Sequence, residues 1–212
     1  MRGTDTPAAD PLPLFPLQTV MFPEGLLHLK VFEARYVDLV GHCLRSGEPF
    51  GVVCLRQGLE VGRGAGAGAV QLESVGVLAR IDEVDSEQQG ILRVRCSALQ
   101  RFRRRGEPSQ LADGLWVSAT LPLAADPVRM PGPTMFPTVR ALSQAIQSLR
   151  EQGNQPFAEP FRLDDAGWVA NRWCELLPVS LAAKQKLMEL EDPMIRLSLV
   201  DGFLRDKQVV RD

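Results

Sequence analysis

The 212-residue chain predicts an α+β fold, with a β-rich N-terminal half that carries one helix and a helical C-terminal half. Three observations predict it. Short apolar runs with strand-like alternation fill the stretch from Leu12 to Leu121, prolines crowd between Pro122 and Pro137, and apolar residues then recur at helical spacing. The implied division is a disordered leader over 1–11, a β-rich subdomain over 12–121, a proline-rich junction over 122–137 and a helical subdomain over 138–212.

The leader is polar and small, with nothing to bury. Leu12 to Leu17 is apolar, but Pro13 and Pro16 remove backbone donors, which predicts an edge strand or extended segment. Pro23-Glu24-Gly25 predicts a turn, with glycine taking the positive φ, and Leu26 to Val31 a strand. Tyr36, Val40 and Leu44 share one helical face, with Val37 beside them. Glu33 is expected in that helix's first turn, and Gly47 at its end. Phe50 to Leu55 reads as a buried strand, and the glycine-rich stretch 58–69 as a mobile loop.

Val75 to Val84 and Ile91 to Cys96 form an expected hairpin across the polar turn 85–90, with Arg93 and Arg95 on its exposed face. Further strands are expected over Leu99 to Arg103 and Leu115 to Leu121, the latter with Leu115, Val117, Ala119 and Leu121 on one face. Beyond the junction, Val139, Leu142, Ile146 and Leu149 line a helix, and Asp164 or Asp165 caps the next, which Pro178 stops. Ser180 caps a third, and Asp192-Pro193 starts a fourth whose buried face is Ile195, Leu199 and Phe203.

Composition bounds the function. A formal net charge of -2 gives no global attraction to nucleic acid or an anionic membrane. The N-terminus has no apolar core of a secretory signal, and no run is long enough to span a bilayer, which points to the cytoplasm. Cys43, Cys54, Cys96 and Cys174 are scattered and form no Cys-x-x-Cys pair, so buried free thiols are expected.

Each chemical motif fails on its own terms. The glycine-rich stretch lacks the Lys-Ser or Lys-Thr pair of a phosphate loop. His28 and His42 have no metal-ligand spacing, and no nucleophile elbow accompanies them. Lys184 and Lys186 lie on an amphipathic helix, where solvation is the default for a lysine. The basic run Arg101 to Arg105 reads as a strand end exposing arginines. The tryptophans read as core anchors. No catalytic, cofactor-binding or metal residues are therefore assigned, and no cofactor is expected.

Leu14-Phe15-Pro16-Leu17, Val20 to Gly25, Leu29 to Tyr36 and Phe50 to Val53 together resemble the N-terminal substrate-binding domain of the ATP-dependent Lon protease. Val75 to Ile81, Leu99 to Phe102, Glu175 to Ser180 and Glu191-Asp192-Pro193 continue the resemblance, which covers roughly Leu12 to Asp206. Ala98 departs from it, since relatives often carry glycine there and alanine resists positive φ. The resemblance implies a PUA-like β pseudo-barrel followed by a helical bundle. It implies a non-catalytic module that binds unfolded or extended protein segments or a partner protein, because the protease's ATPase and peptidase regions are not found in these residues. Phe22, Phe32, Glu33, Arg35 and Tyr36 are the candidate binding residues. An unrecognised hydrolase and nucleic-acid binding through the β-rich half are the alternatives.

Overall fold

The computed structural model describes residues 11–57, 70–88 and 90–211. The expected leader over 1–11, apart from Pro11, and the glycine-rich stretch 58–69 lie outside the described residues. The elements are β1 (Leu12–Leu17), β2 (Leu26–Val31), α1 (Ala34–Ser46), β3 (Phe50–Gln57), β4 (Gln71–Leu72), β5 (Val75–Gln88), β6 (Ile91–Gln110) and β7 (Trp116–Pro122). Four helices follow a short 3-10 turn: α2 (Phe136–Glu151), α3 (Ala166–Leu176), α4 (Leu181–Glu189) and α5 (Pro193–Asp206). The pairings β1–β3, β3–β5, β5–β6, β6–β7 and β7–β1 close on themselves, and only β1–β3 is parallel. Off this ring, β4 pairs with β3 and β2 with β6.

β1 is laddered on both sides, which corrects the expected edge strand. Its prolines are tolerated because the two ladders are staggered. β7 pairs with Leu12 to Leu14 and β3 with Leu14 to Leu17, so Pro13 and Pro16 each face a single ladder. The expected hairpin is longer than its alternation indicated. β6 runs unbroken from Ile91 through the segment read as a separate strand, and Gly90 at φ 83° ends the connection from β5. Leu115, just before β7, and Val117 are buried, whereas Ala119 and Leu121 of the expected face are exposed.

The helix boundaries follow local chemistry. Gly47 adopts φ 73° and its N–H reaches the Cys43 carbonyl at 2.8 Å. Asp165, Ser180 and Asp192 accept hydrogen bonds from Gly167, Ala183 and Met194 at the starts of α3, α4 and α5. Buried faces follow longer-range packing. α1 buries Tyr36, Leu39, Val40 and Cys43 and leaves Leu44 exposed, because the i, i+3, i+4, i+7 stripe faces the sheet. α5 exposes Ile195 and Leu199, leaves Phe203 partly buried, and buries Pro193, Leu197, Val200 and Leu204 together with Arg196 and Asp201, so its core face differs from the expected one.

Arg196 lies on that face within a network of buried arginines. Arg196 donates to the Asp126 carboxylate at 2.5 Å, to Asn171 Oδ1 at 3.0 Å and to the Leu187 and Leu190 carbonyls. Arg101 of β6 shares Asp126 at 2.6 Å and reaches the Met188 and Leu190 carbonyls at 2.9 and 2.7 Å. Arg172 of α3 donates to the Glu24 and Pro23 carbonyls at 2.5 and 2.9 Å and to Glu175 at 2.7 Å. These guanidiniums tie the strands to the helices, and one continuous hydrophobic core runs from Phe15 and Val20 through Trp168, Leu197 and Leu204. Trp168 and Trp173 anchor that core, while Trp116 packs half-buried against a smaller cluster around Leu14 and Phe102.

The turn before β2 serves the same junction. Glu24, not Gly25, carries the positive φ of 63°. Gly25 is glycine for space, since a Cβ there would lie 2.3 Å from Glu175 Oε1 and 3.0 Å from the Phe22 carbonyl. Ala98 is buried, hydrogen-bonds to Glu24 and Gly25 through its backbone and has no positive φ, so alanine fits without strain.

Candidate binding site along an open strand edge

β2 is laddered on one edge only, by β6, among the described residues. Its side chains alternate: Leu27, Leu29 and Val31 turn inward, while His28 and Lys30 are exposed. A cleft of about 280 Å³ is lined by inward and outward members of this strand alike. Both faces of a strand can border one cleft only where that cleft runs along the strand's edge. Phe15, Leu17 and Thr19 contribute more of the lining, and Phe32, Glu33 and Tyr36 complete it.

Aromatic packing fixes the floor. The Phe15 and Tyr36 rings stack with centroids 4.0 Å apart and 16° between planes, and Phe50 lies 6.0 Å from Phe15. Phe32 follows the strand directly and is 51% exposed, a large apolar ring left in water at the start of α1. Glu33 occupies the N-cap position rather than the first turn. Its backbone carbonyl accepts from Tyr36 and Val37 while its carboxylate pairs with Arg35 at 2.7 Å.

The five candidate residues therefore separate. Phe32, Glu33 and Tyr36 meet at the cleft. Arg35 supports it from outside, donating to the Gly114 carbonyl at 2.8 Å and lying 4.6 Å from the Tyr36 ring centroid. Phe22 has no exposed surface and packs in the core, so the expected rim position is corrected: the tight turn folds the ring inward. Phe15 was missed, because its neighbours across the cleft depend on long-range strand placement.

Other sites offer less chemistry. A cavity of about 500 Å³ between the outer sheet and the 155–161 loop places Ser97 Oγ 2.5 Å from Asp82 Oδ2. No histidine, lysine or cysteine lines it, so the serine has no neighbouring general base of the usual kind. Among the described residues no group of three or more His, Cys, Asp or Glu could hold a metal ion. All four thiols are buried, and burial pushes Cys96 and Cys174 up to about 12. Lys184 is not simply solvated: its ammonium donates to the Glu175 carbonyl at 3.0 Å. The basic run is broken up as well. Arg101 is buried, and Arg104 donates to the Leu72 and Glu73 carbonyls, which leaves Arg103 and Arg105 as its exposed members.

A mixed α/β domain, a mostly antiparallel sheet joined to helices with a mostly apolar cleft along β2, is the class the fold defines. The chain belongs to the ATP-dependent protease La (LON) substrate-binding domain family, which matches residues 11–206. A Lon N-terminal domain protein from Xanthomonas campestris is similar at 29% identity and TM-score 0.70, over 91% of this chain and 97% of that one. The N-terminal domain of the Mycobacterium avium complex Lon protease shares the fold at 15% identity and TM-score 0.58, over 92% and 98%. No curated protein matches. No helix among the described residues is long and apolar enough to cross a membrane.

Proposed function

We propose that the chain is a non-catalytic module that recognises unfolded or extended protein segments, or a partner protein, with a PUA-like barrel over 12–121 and a helical bundle over 138–212. One observation carries the reading: an open cleft floored by the Phe15–Tyr36 stack, with Phe32 half exposed beside it. An exposed aromatic next to a concave apolar floor gains from covering by another apolar chain. The buried arginine network supports a rigid platform, on which binding energy is not spent on ordering the site. A cytoplasmic location fits four reduced, buried cysteines.

The test is crosslinking of a chemically unfolded, carboxymethylated protein to the wild type and to Phe32→Ser. Substituting an exposed ring should leave stability nearly unchanged. The reading expects saturable crosslinking above that of a similarly charged control protein, reduced several-fold in the variant. Equal crosslinking by the control contradicts it.

A further inference from the structure

A second concave site lies where the sheet leaves a gap. The β2 ladder on β6 stops at Ser97 and the β7 ladder begins at Phe102, so neither strand covers Leu99 and Gln100. Those two residues also bulge, since together they oppose Leu78 alone on β5. They and α3 line a cavity of about 360 Å³, to which Pro23, Ala124 and Val128 add apolar wall. That is the size of a small-molecule site, placed where such sites are common, at a junction between two parts of a fold. It shares no lining residue with the cleft along β2.

The lining leaves no place for a charged ligand. Asp126 is held by Arg101 at 2.6 Å and by Arg196 at 2.5 Å. Arg162 pairs with both Glu24 and Asp165, the latter at 3.3 Å. Each carboxylate at the wall already has its guanidinium, and each guanidinium its carboxylate. An added charge of either sign would lose its water and meet a like charge beside every opposite one.

Two buried donors, in contrast, have no acceptor. Asn171 is 4% exposed, and its Oδ1 accepts from Arg196 Nη1 at 3.0 Å. Arginine can only donate, so the amide oxygen must face Arg196 and Nδ2 must turn away from it. Nδ2 has no acceptor among the described residues, and it is not sealed from solvent. The Trp168 indole N–H, on a residue 3% exposed, is in the same state. Trp173 differs, since its indole donates to the Thr138 carbonyl at 3.1 Å. Trp168 and Asn171 stand three positions apart on α3, hence on one face, and both line the cavity. Buried polar groups are almost always hydrogen-bonded, so a group entering here is asked for an acceptor.

We infer that this cavity binds an uncharged small molecule that joins an apolar ring to a carboxamide. The carbonyl oxygen, with two lone pairs, takes the Asn171 amide and the Trp168 indole N–H. The ring covers Leu99, Ala124 and Val128.

Benzamide, benzoate and toluene carry the same ring and differ in the group attached to it. Each is titrated into the isotope-labelled full chain while the indole N–H signals of Trp116, Trp168 and Trp173 are followed by NMR. Benzamide should shift the Trp168 signal saturably and leave the other two in place. Benzoate and toluene should bind about tenfold more weakly or not at all, the first for its charge and the second for its missing acceptor. Asn171→Asp keeps an oxygen toward Arg196 and removes the donor, so benzamide binding should be lost, with the fold checked by urea unfolding. Val128→Glu changes a wall residue that is 76% exposed, which spares the fold, and should weaken benzamide several-fold. No saturable shift of Trp168, equal binding of benzoate or toluene, or undiminished binding in a folded Asn171→Asp overturns the inference. So does benzamide binding that Val128→Glu leaves unchanged.

Discussion

Replacing Asp126 with asparagine removes the one carboxylate shared by two buried guanidiniums. The Arg101 and Arg196 side chains are 2% and 1% exposed, and Asp126 meets them at 2.6 and 2.5 Å. Burial pulls the Arg101 pKa down and the Asp126 charge pulls it back up, so Asp126 helps keep that guanidinium ionised. Breaking a buried pair by removing one partner costs about 3–5 kcal/mol, because the remaining charge is uncompensated. Here both arginines retain carbonyl acceptors at Leu187, Met188 and Leu190, and the asparagine oxygen can still accept. The expected loss is therefore near the low end, about 3 kcal/mol. Glu83→Gln is the control, because its pair with Arg95 is 62% and 39% exposed, and such a pair contributes at most about 1 kcal/mol. Urea unfolding followed by tryptophan fluorescence reads both, since Trp168 and Trp173 lie in the shared core. A loss in Asp126→Asn no greater than in Glu83→Gln would refute the claim that this network joins strands to helices.

Two further outcomes concern the same junction. Gly25→Ala should destabilise by about 1–3 kcal/mol in urea unfolding, because its Cβ has to displace the Glu175 carboxylate and the Phe22 carbonyl; a neutral result contradicts the close approach. Burial raises Glu175 to about 7, against the opposing pull of Arg172 and Lys184, so the folded state binds a proton that the unfolded state releases near 4.5. Stability from this group is then fully present below about 4.5 and is lost as pH rises through about 7. The stability of the wild type relative to Glu175→Gln should fall by on the order of 1–3 kcal/mol across that window, and a flat or rising difference contradicts it.

Features of the fold written in local chemistry were legible in the sequence. Asp165, Ser180, Asp192-Pro193 and Gly47 mark helix ends because caps act within a few residues. The buried face of α5 was not legible. Ile195, Leu199 and Phe203 compete with Leu197, Val200 and Leu204 as apolar stripes, and it is the second that goes inside, with Arg196 beside it meeting Asp126 from seventy positions away. β1 was misread as an edge strand because the stagger of its two ladders is set by β3 and β7. At the proposed site, the grouping of Phe32, Glu33 and Tyr36 was legible because they sit together at one strand–helix junction. Phe15 and the open edge of β2 were not, since both depend on which strands pair.

Hydrogen–deuterium exchange of the full chain, with and without the unfolded client, tests the central claim most directly. If the cleft along β2 is the recognition site, amides of Leu26–Val31 and the start of α1 slow when the client is present, while the α2–α5 region is unchanged. Client-dependent protection confined to the helices, with β2 unaffected, would contradict it.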